Sequence, residues 1–328
     1  MKRHEQSGTS MNTNSIEVRD LVKKFGSFTS VDDISFDVKE GEVFGFLGAN
    51  GAGKSTTIKM LCGILAPTSG DALVGGYSIN DNPDKVKKNI GYMSQKFSLY
   101  NDLTITENIN FFGGVYGLDG RELEERKKWV LEISGLEEKQ KSMTATLSVG
   151  YKQRLALGCA VIHKPKIVFL DEPTGGVDPI SRRKFWDLIN ELSEKGTTVF
   201  VTTHYLDEAE FCNRIILINA GKLIAAGSPK ELKTEYIKTK VIEIDCSDIY
   251  AATEILEKEN FIESITIFGN SLHASLKAVN NSGIDQKKII AGLLEKDGKI
   301  KIHHISEITP TLEDVFLYLI EKNTPDDK

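Results

Sequence analysis

One segment constrains the fold of this chain more than any other, the glycine-rich run Gly48-Ala49-Asn50-Gly51-Ala52-Gly53-Lys54-Ser55-Thr56. It follows the apolar run 43–47 and precedes residues 54–61, which we expect to form a helix. A strand, a glycine-rich turn and a helix in this order are typical of the phosphate-binding P-loop. The glycines let the backbone approach a phosphate without a Cβ in the way, and the N–H groups at the helix N-terminus face the anion.

Two side chains of this segment point to specific chemistry. Lys54 is expected to bring a positive charge near the β- and γ-phosphates, and Ser55 offers a hydroxyl to Mg²⁺, which prefers oxygen ligands. Two other interpretations are an ordinary glycine turn and a dinucleotide-binding loop. The second is weak, because Thr56 stands where the dinucleotide fingerprint has its third glycine.

Two apolar runs further along the chain end in side chains of a catalytic kind. Asp171 and Glu172 follow the run 167–170, and His204 follows the run 198–203. Ligands of open α/β sheets bind at the carboxyl ends of the strands. We therefore expect Asp171 to hold Mg²⁺ through a water and Glu172 to polarise the water that attacks the γ-phosphate. The alternatives are a solvated acidic pair and a structural histidine.

The order of the expected elements indicates a mostly parallel sheet with crossover helices. Residues 85–130 are expected to be largely helical. The other expected elements of this part are strands at 16–20, 31–38, 43–47 and 71–74, then a strand, a helix and a strand at 167–170, 181–195 and 198–201.

The chain has a different pattern from about residue 240. We expect a β-α-β-β-α-β order, which is that of the ferredoxin-like motif. Gly269-Asn270 suits the turn of a hairpin within it. A final amphipathic helix is expected at 312–320, and the polar stretch 233–239 is the expected domain boundary. The elements of the motif are expected at 241–246, 249–259, 265–268, 272–278, 284–295 and 299–305.

Composition excludes several classes of protein. The 328 residues suit a core domain with a smaller companion, and the 40% hydrophobic and 27% charged residues argue against disorder. The formal net charge of -6 makes sequence-independent binding of nucleic acid a poor default. No apolar run approaches the roughly 18–20 residues that span a bilayer. The four cysteines form no CxxC pair, so neither a metal site nor a disulfide framework is expected.

The segment Leu147-Ser148-Val149-Gly150-Tyr151-Lys152-Gln153-Arg154 resembles the signature motif of the ATP-binding subunits of ABC transporters. The family's other motifs occur in the family's order, over about residues 15–235. They are Phe25, the P-loop, Gln95, the signature, Asp171-Glu172, the D-loop Gly176-Val177-Asp178, and His204. Two positions depart from the pattern, since Val149 replaces the usual first glycine of the signature and Tyr151 replaces the usual glutamine.

The resemblance implies a role for each matching residue. Phe25 would stack on adenine, and Gln95 would touch Mg²⁺ and sense the γ-phosphate. Glu172 would be the catalytic base, aided by His204 and by Lys54. Ser148 and Gly150 would contact the γ-phosphate of ATP bound to a second subunit, and Asp178 would communicate across that interface. The cofactors implied are ATP and Mg²⁺, with Ser55, Gln95 and Asp171 around the metal.

The resemblance also implies a fold and partners. The fold class is α/β, an ABC ATPase core of the P-loop NTPase type with an antiparallel β subdomain and a helical subdomain, plus a small C-terminal ferredoxin-like α+β domain. The domains expected are a disordered leader at 1–14, the ATPase domain at 15–235 with its helical subdomain at about 96–160, and the accessory domain at 240–322. The partners implied are a second ATP-binding subunit, expected to be an identical chain, and a separate membrane-spanning permease, with no nucleic acid. This places the chain at the cytoplasmic face of the membrane.

The direction of transport also rests on resemblance. Residues 309–316 and 221–227 resemble parts of drug-type and ABC-2-type exporter ATPases, which implies efflux of drugs or other hydrophobic compounds. The apolar residues Phe97, Leu99, Tyr100 and Leu103 either receive a helix of the permease or form subdomain core. The alternatives for function are an ABC importer ATPase, a soluble ABC ATPase acting on ribosomes or DNA, and a nucleotide-binding regulator without turnover.

Overall fold

The computed structural model describes residues 14–96, 99–277, 285–296 and 300–323. The chain divides into two compact units, one ending at Ala226 and the other beginning at Gly227. The second unit thus begins before the polar stretch 233–239. Several predicted positions lie outside the described residues: the leader up to residue 13, Phe97, and the predicted element ends Ala278, Ile284 and Lys299.

The first unit contains ten strands and six helices among its described residues. The strands are β1 (Asn14–Phe25), β2 (Phe28–Lys39), β3 (Val43–Leu47), β4 (Ser69–Val74), β5 (Tyr77–Ser78), β6 (Ile90–Met93), β7 (Ile167–Asp171), β8 (Thr198–Thr203), β9 (Arg214–Asn219) and β10 (Lys222–Gly227). The helices are α1 (Lys54–Leu61), α2 (Pro83–Asn89), α3 (Ile105–Val115), α4 (Gly120–Ser134), α5 (Val149–Ala160) and α6 (Pro179–Glu194). Besides these six α-helices, three 3-10 helices span Glu137–Lys139, Thr144–Thr146 and Leu206–Phe211.

The central sheet of this unit has the strand order β10-β9-β3-β8-β7-β6. Strands β9, β3, β8, β7 and β6 are parallel to one another, which confirms the predicted parallel sheet. Leu47 pairs with Thr203, and Asp171 pairs with Thr202. The carboxyl ends of β3, β8 and β7 therefore lie side by side at one edge.

The prediction for residues 85–130 was wrong at Ile90–Met93. This segment is strand β6, paired in parallel with the start of β7, whereas α2, α3 and α4 are helices as expected. Four residues are too few for a strand periodicity to be visible, and the pairing with β7 decides their conformation.

Phe200 lies at the centre of the core of this unit. It is fully buried, and its ring centroid is 5.5 Å from those of Phe44 and Phe46 and 5.4 Å from that of Phe169. A second, antiparallel sheet of order β2-β1-β4-β5 covers this core. Ile58 of α1 belongs to the same buried cluster, so the helix after the glycine-rich loop is fixed by packing.

The second unit has the ferredoxin-like topology that its sequence predicts. Its elements are α7 (Pro229–Glu235), β11 (Val241–Cys246), α8 (Ile249–Leu256), β12 (Ile262–Phe268), β13 (Ser271–Leu276), α9 (Gln286–Glu295), β14 (Ile302–Ile308) and α10 (Leu312–Asn323). The sheet order is β12-β13-β11-β14, with every neighbouring pair antiparallel. Gly269 and Asn270 form the hairpin turn between β12 and β13, and Gly269 has a φ of +54°.

One buried hydrogen bond between side chains fixes the last helix of this unit. His273 of β13 places Nδ1 3.0 Å from Oδ1 of Asp314, and both side chains are buried. Asp314 also accepts a hydrogen bond from the backbone N–H of Thr311, at 2.7 Å. The hydrogen bonds from His273 and Thr311 outweigh the effect of burial and lower the pKa of Asp314.

Two further observations concern membrane-spanning helices and cysteines. Within the described ranges, no helix has the length and apolar character needed to cross a bilayer. The four cysteines, Cys62, Cys159, Cys212 and Cys246, are buried and free.

We expect Phe200→Ala to lower the free energy of unfolding by about 3–5 kcal/mol, because it removes a ring from the centre of a close-packed cluster. Urea denaturation of the nucleotide-free protein measures this change. Phe28→Ala is the matched control, since Phe28 is 61% exposed and its loss should change the stability by less than about 0.5 kcal/mol. Equal effects of the two variants would contradict the described core.

Candidate functional site

The glycine-rich loop connects β3 to α1, and two of its glycines have no room for a side chain. A Cβ on Gly48 would lie 2.2 Å from the carbonyl oxygen of Ile218. Gly53 has a φ of +106°, and a Cβ there would lie 2.5 Å from the carbonyl oxygen of Ser30. The neighbouring strands β9 and β2 therefore set the shape of the loop. Among its other residues Ala49, Asn50 and Gly51 are exposed and Ala52 is buried.

Lys54, the first residue of α1, is buried inside this loop. Its Nζ donates hydrogen bonds to the carbonyl oxygens of Gly48, at 2.8 Å, and Ala49, at 3.1 Å. The same Nζ lies 3.2 Å from Oε1 of Glu172, which follows β7. The ammonium thus joins the loop after β3 to the carboxylate after β7.

Ser55 and Asp171 present two hard oxygen ligands next to each other. Ser55 Oγ donates to Oδ1 of Asp171 at 3.0 Å, and Thr202 Oγ1 of β8 donates to the same oxygen at 2.7 Å. A hydroxyl beside a buried carboxylate suits Mg²⁺, which often takes only one or two protein carboxylates and completes its shell with phosphates and water. In the part of the chain that the structure describes, no three or more His, Cys, Asp or Glu side chains are grouped to hold a metal unaided.

Glu172 is held by residues from three other segments of the chain. Gln95 Nε2 donates to its Oε2 at 3.0 Å, and Nδ1 of His204 lies 3.2 Å from that oxygen, without hydrogen-bond geometry. Its backbone N–H donates to Thr202 Oγ1 at 3.0 Å, and Lys54 is on the other carboxylate oxygen. Its φ of +47° is unusual for a residue with a side chain, and such strain is concentrated at functional sites.

Three further predicted site residues, Ser148, Gly150 and Asp178, lie together at the starts of α5 and α6. Ser148 is the exposed N-cap residue of α5, and a Cβ on the buried Gly150 would lie 2.7 Å from the Oγ of Ser181. Asp178 caps α6 by accepting a hydrogen bond from the backbone N–H of Ser181, at 2.9 Å. Hydrogen bonds from Ser181 lower the pKa of Asp178. The signature helix and the helix after Asp178 are thus in direct contact.

The two departures in the signature have different surroundings. Val149 is 41% exposed at the start of α5. Tyr151 is flanked by two cations, with Arg154 4.6 Å and Lys139 4.9 Å from its ring centroid.

Phe25 lies at the end of β1 with half of its surface exposed, and Lys23 places its Nζ 5.2 Å from the ring centroid. The strand that follows, β2, is fixed to α1 because Ser30 Oγ donates to Oγ1 of Thr56, at 3.0 Å. The hairpin that carries Phe25 is therefore attached to the helix that opens with Lys54.

No sequence pattern predicted a role for Thr202 in this site. Its hydroxyl donates to Asp171 and accepts from the N–H of Glu172, so one side chain orients both residues of the acidic pair. In the sequence it is one β-branched residue of a buried strand, which is typical of packing. Only the pairing of β8 with β7 shows its second role.

Two family models match the chain. One, described as ABC transporter, covers residues 31–175, and the other, described as ATP-binding protein DrrA1-3-like, C-terminal domain, covers residues 227–320.

Curated relatives match over different lengths. The chain is 54% identical over 220 residues to the probable multidrug ABC transporter ATP-binding protein YbhF of Escherichia coli, which is 67% of this chain but only 38% of that protein. It is 36% identical over 318 residues to the linearmycin resistance ATP-binding protein LnrL of Bacillus subtilis, which is 95% of this chain and 100% of that protein. A solved structure of an ATP-binding subunit of an ABC transporter has a TM-score of 0.62 and 32% identity, and covers 68% of this chain and 93% of that one.

We expect Gly48→Ala to abolish measurable binding of a fluorescent ATP analogue, because the added Cβ would displace the backbone of the loop away from Ile218. Titration followed by fluorescence anisotropy measures the loss, and circular dichroism checks that the fold persists. Gly114→Ala is the matched control, since the same added methyl meets nothing within 4 Å there. Binding by Gly48→Ala at wild-type affinity would refute the steric argument.

Proposed function

Because this chain belongs to the ABC transporter family, as one of its ATP-binding proteins, we propose that it hydrolyses ATP to drive export by a separate membrane-spanning permease. The observation that carries this proposal is the convergence on Glu172 of Lys54, Gln95 and His204 from three other segments. A nucleotide-binding regulator without turnover has no need for this arrangement.

The geometry suits phosphoryl transfer by positioning and charge neutralisation. The loop N–H groups and Lys54 receive the phosphates, and Phe25 stacks on the adenine. Glu172 then orients the attacking water and accepts its proton, while His204 contacts the γ-phosphate. Ser55 and Asp171, with Gln95 as the third predicted ligand, would hold Mg²⁺, which would supply neutralising charge on the phosphates.

A second ATP-binding subunit is the proposed partner for the group of Ser148, Gly150 and Asp178. Ser148 and Asp178 cap α5 and α6, and Gly150 lies in the first turn of α5. The hydrogen bonds and ion pairs described for Lys54 and Glu172 involve none of the three, although the motifs to which they belong imply contact with nucleotide. The arrangement fits two identical chains that hold two ATP molecules head to tail. Ser148 and the N-terminus of α5 then face the γ-phosphate bound by the other subunit.

Export is the direction that the relatives support. One is named as a probable multidrug transporter protein and the other as a linearmycin resistance protein, and the model of the C-terminal part is DrrA-like. These names favour export over an importer or over a soluble ATPase acting on ribosomes or DNA. We propose efflux of a hydrophobic compound, with the chain working at the cytoplasmic face of the membrane through its permease.

The surface proposed for the permease is an aromatic cluster in the helical part of the first unit. Tyr100 and Phe111 are 45% and 43% exposed, and their ring centroids are 4.8 Å apart. Phe112 lies 5.4 Å from Phe111, also edge to face. Leu99 is buried and belongs to the core, so only part of the predicted apolar set is available to a partner.

We expect Glu172→Gln to lower the kcat for ATP hydrolysis by about 10²–10⁴-fold, because the amide cannot accept the proton of the attacking water. Phosphate release measures turnover, and size-exclusion chromatography should show a stable ATP-bound dimer. Glu191→Gln, which alters an exposed carboxylate of α6, is expected to hydrolyse ATP like the wild type. Undiminished turnover in Glu172→Gln would refute the assignment of the base.

We expect Tyr100→Glu to prevent co-purification with the permease while ATP binding is unchanged, because a charge enters the aromatic cluster. Tyr250→Glu is the matched control, since Tyr250 is 71% exposed in the second unit and should leave co-purification intact. A candidate permease, sought in the reading frames beside this gene and expressed with a tag, is the bait. Co-purification of Tyr100→Glu at wild-type yield would contradict the proposed surface.

A further inference from the structure

A fully buried carboxylate, Glu208, lies next to the candidate site and has no part in the chemistry proposed above. It belongs to the 3-10 helix that follows His204, and none of its surface is exposed. Carboxylates are rarely buried unless they are paired, so neighbouring hydrogen-bond donors and cations must compensate for the loss of hydration of Glu208.

The two oxygens of Glu208 connect three segments. Oε1 accepts a hydrogen bond from Oγ1 of Thr174, two residues after Glu172. Oε2 accepts one from Oγ1 of Thr203, at 2.7 Å, at the end of β8. Nε of Arg182, in the first turn of α6, lies 3.4 Å from Oε1 without forming a hydrogen bond.

These contacts hold both chain neighbours of His204. Thr203 precedes it, and its Oγ1 also accepts a hydrogen bond from the backbone N–H of Tyr205, at 3.0 Å. Tyr205 follows it, with the Arg182 guanidinium 4.5 Å from its ring centroid and the His204 ring 4.0 Å away. The imidazole therefore projects from a turn whose two sides are both tied to Glu208.

Opposing effects act on the charge of the Glu208 carboxylate. Burial raises the pKa of Glu208, although the hydroxyls of Thr174 and Thr203 and the nearby Arg182 act in the opposite direction. Asp207 is the second acidic neighbour of Arg182, 3.5 Å from its Nη1, and is mostly exposed.

We propose that Glu208 is a positioning residue for ATP hydrolysis, which fixes the His204 ring relative to the carboxylate of Glu172. It does so by binding Thr203, beside His204, and Thr174, beside Glu172, with one carboxylate. The inference rests on the proposed ATPase function of this site. Because Lys54 and the glycine-rich loop make none of these contacts, loss of Glu208 reduces kcat and leaves the KM for ATP nearly unchanged.

The first test compares Glu208→Ala, Glu208→Gln and the control Asp207→Asn in the full chain. We expect Glu208→Ala to lower kcat at least tenfold with KM within about threefold of wild type, because both hydroxyls lose their acceptor. Glu208→Gln keeps an acceptor of the same shape and should recover part of the activity. Asp207→Asn removes a charge beside the same arginine and should retain wild-type kcat. A tenfold rise in KM with unchanged kcat in Glu208→Ala would overturn the proposal.

A double-mutant cycle distinguishes positioning from general destabilisation. If Glu208 acts through His204, Glu208→Ala has no further effect on kcat in the His204→Ala background. An additional tenfold loss there would overturn the proposal. The pair Thr203→Val and Thr203→Ser gives the same information without altering the buried charge: the valine variant should lose activity and the serine variant should retain it.

A measurement independent of turnover separates this inference from the proposed function. In spectra of the histidine rings, Glu208→Ala or Glu208→Gln should shift the His204 resonances, whereas those of His163 and His273 stay in place. An unchanged His204 signal would refute the positioning role whether or not the chain hydrolyses ATP. Conversely, a wild-type chain that does not hydrolyse ATP, alone or with its permease, would refute the proposed function while leaving this result valid.

Discussion

The parallel register of β3, β8 and β7 is the constraint on which the candidate site depends. Leu47, Thr203 and Asp171 end their strands at one edge, so the glycine-rich loop, the histidine and the acidic pair all begin within contact of one another. Hydrogen bonds between neighbouring strands, made by backbone alone, thereby fix the distances between side chains that are more than 100 residues apart in sequence. Thr202 strengthens this register with a side chain that reaches across to β7.

Local sequence was enough to predict the elements whose signal lies within a few residues. The loop from Gly48 to Thr56 is recognisable from its own glycines, and the order of elements after residue 240 was enough to predict the ferredoxin-like sheet. The strand β6 could not be predicted, because its four residues adopt their conformation only beside β7. Thr202 and Glu208 were missed for the same reason, since each resembles an ordinary strand or helix residue until its distant partners are known.

The predicted site residues lie in two places, one at the end of the parallel strands and one where α5 packs on α6. Lys54, Glu172, Gln95 and His204 come together at the sheet edge, whereas the signature helix packs on α6 through the contact of Gly150 with Ser181. Because that contact leaves no space for a Cβ, the start of α5 packs closely against the first turn of α6, which Asp178 caps. Ser148 and Asp178 therefore begin two helices that are in contact, on the surface that we propose faces a second subunit.

The left-handed backbone at Glu172 gives the residue that we propose as the catalytic base a cost in stability. A residue with a side chain in this region costs about 1–3 kcal/mol, and the surrounding contacts must supply that free energy. Glycine or asparagine at this position would relieve the strain but would also remove the carboxylate that faces the buried ammonium of Lys54. Replacing Glu172 therefore changes backbone strain and charge pairing in opposite directions, so the stability of such a variant does not report on its activity.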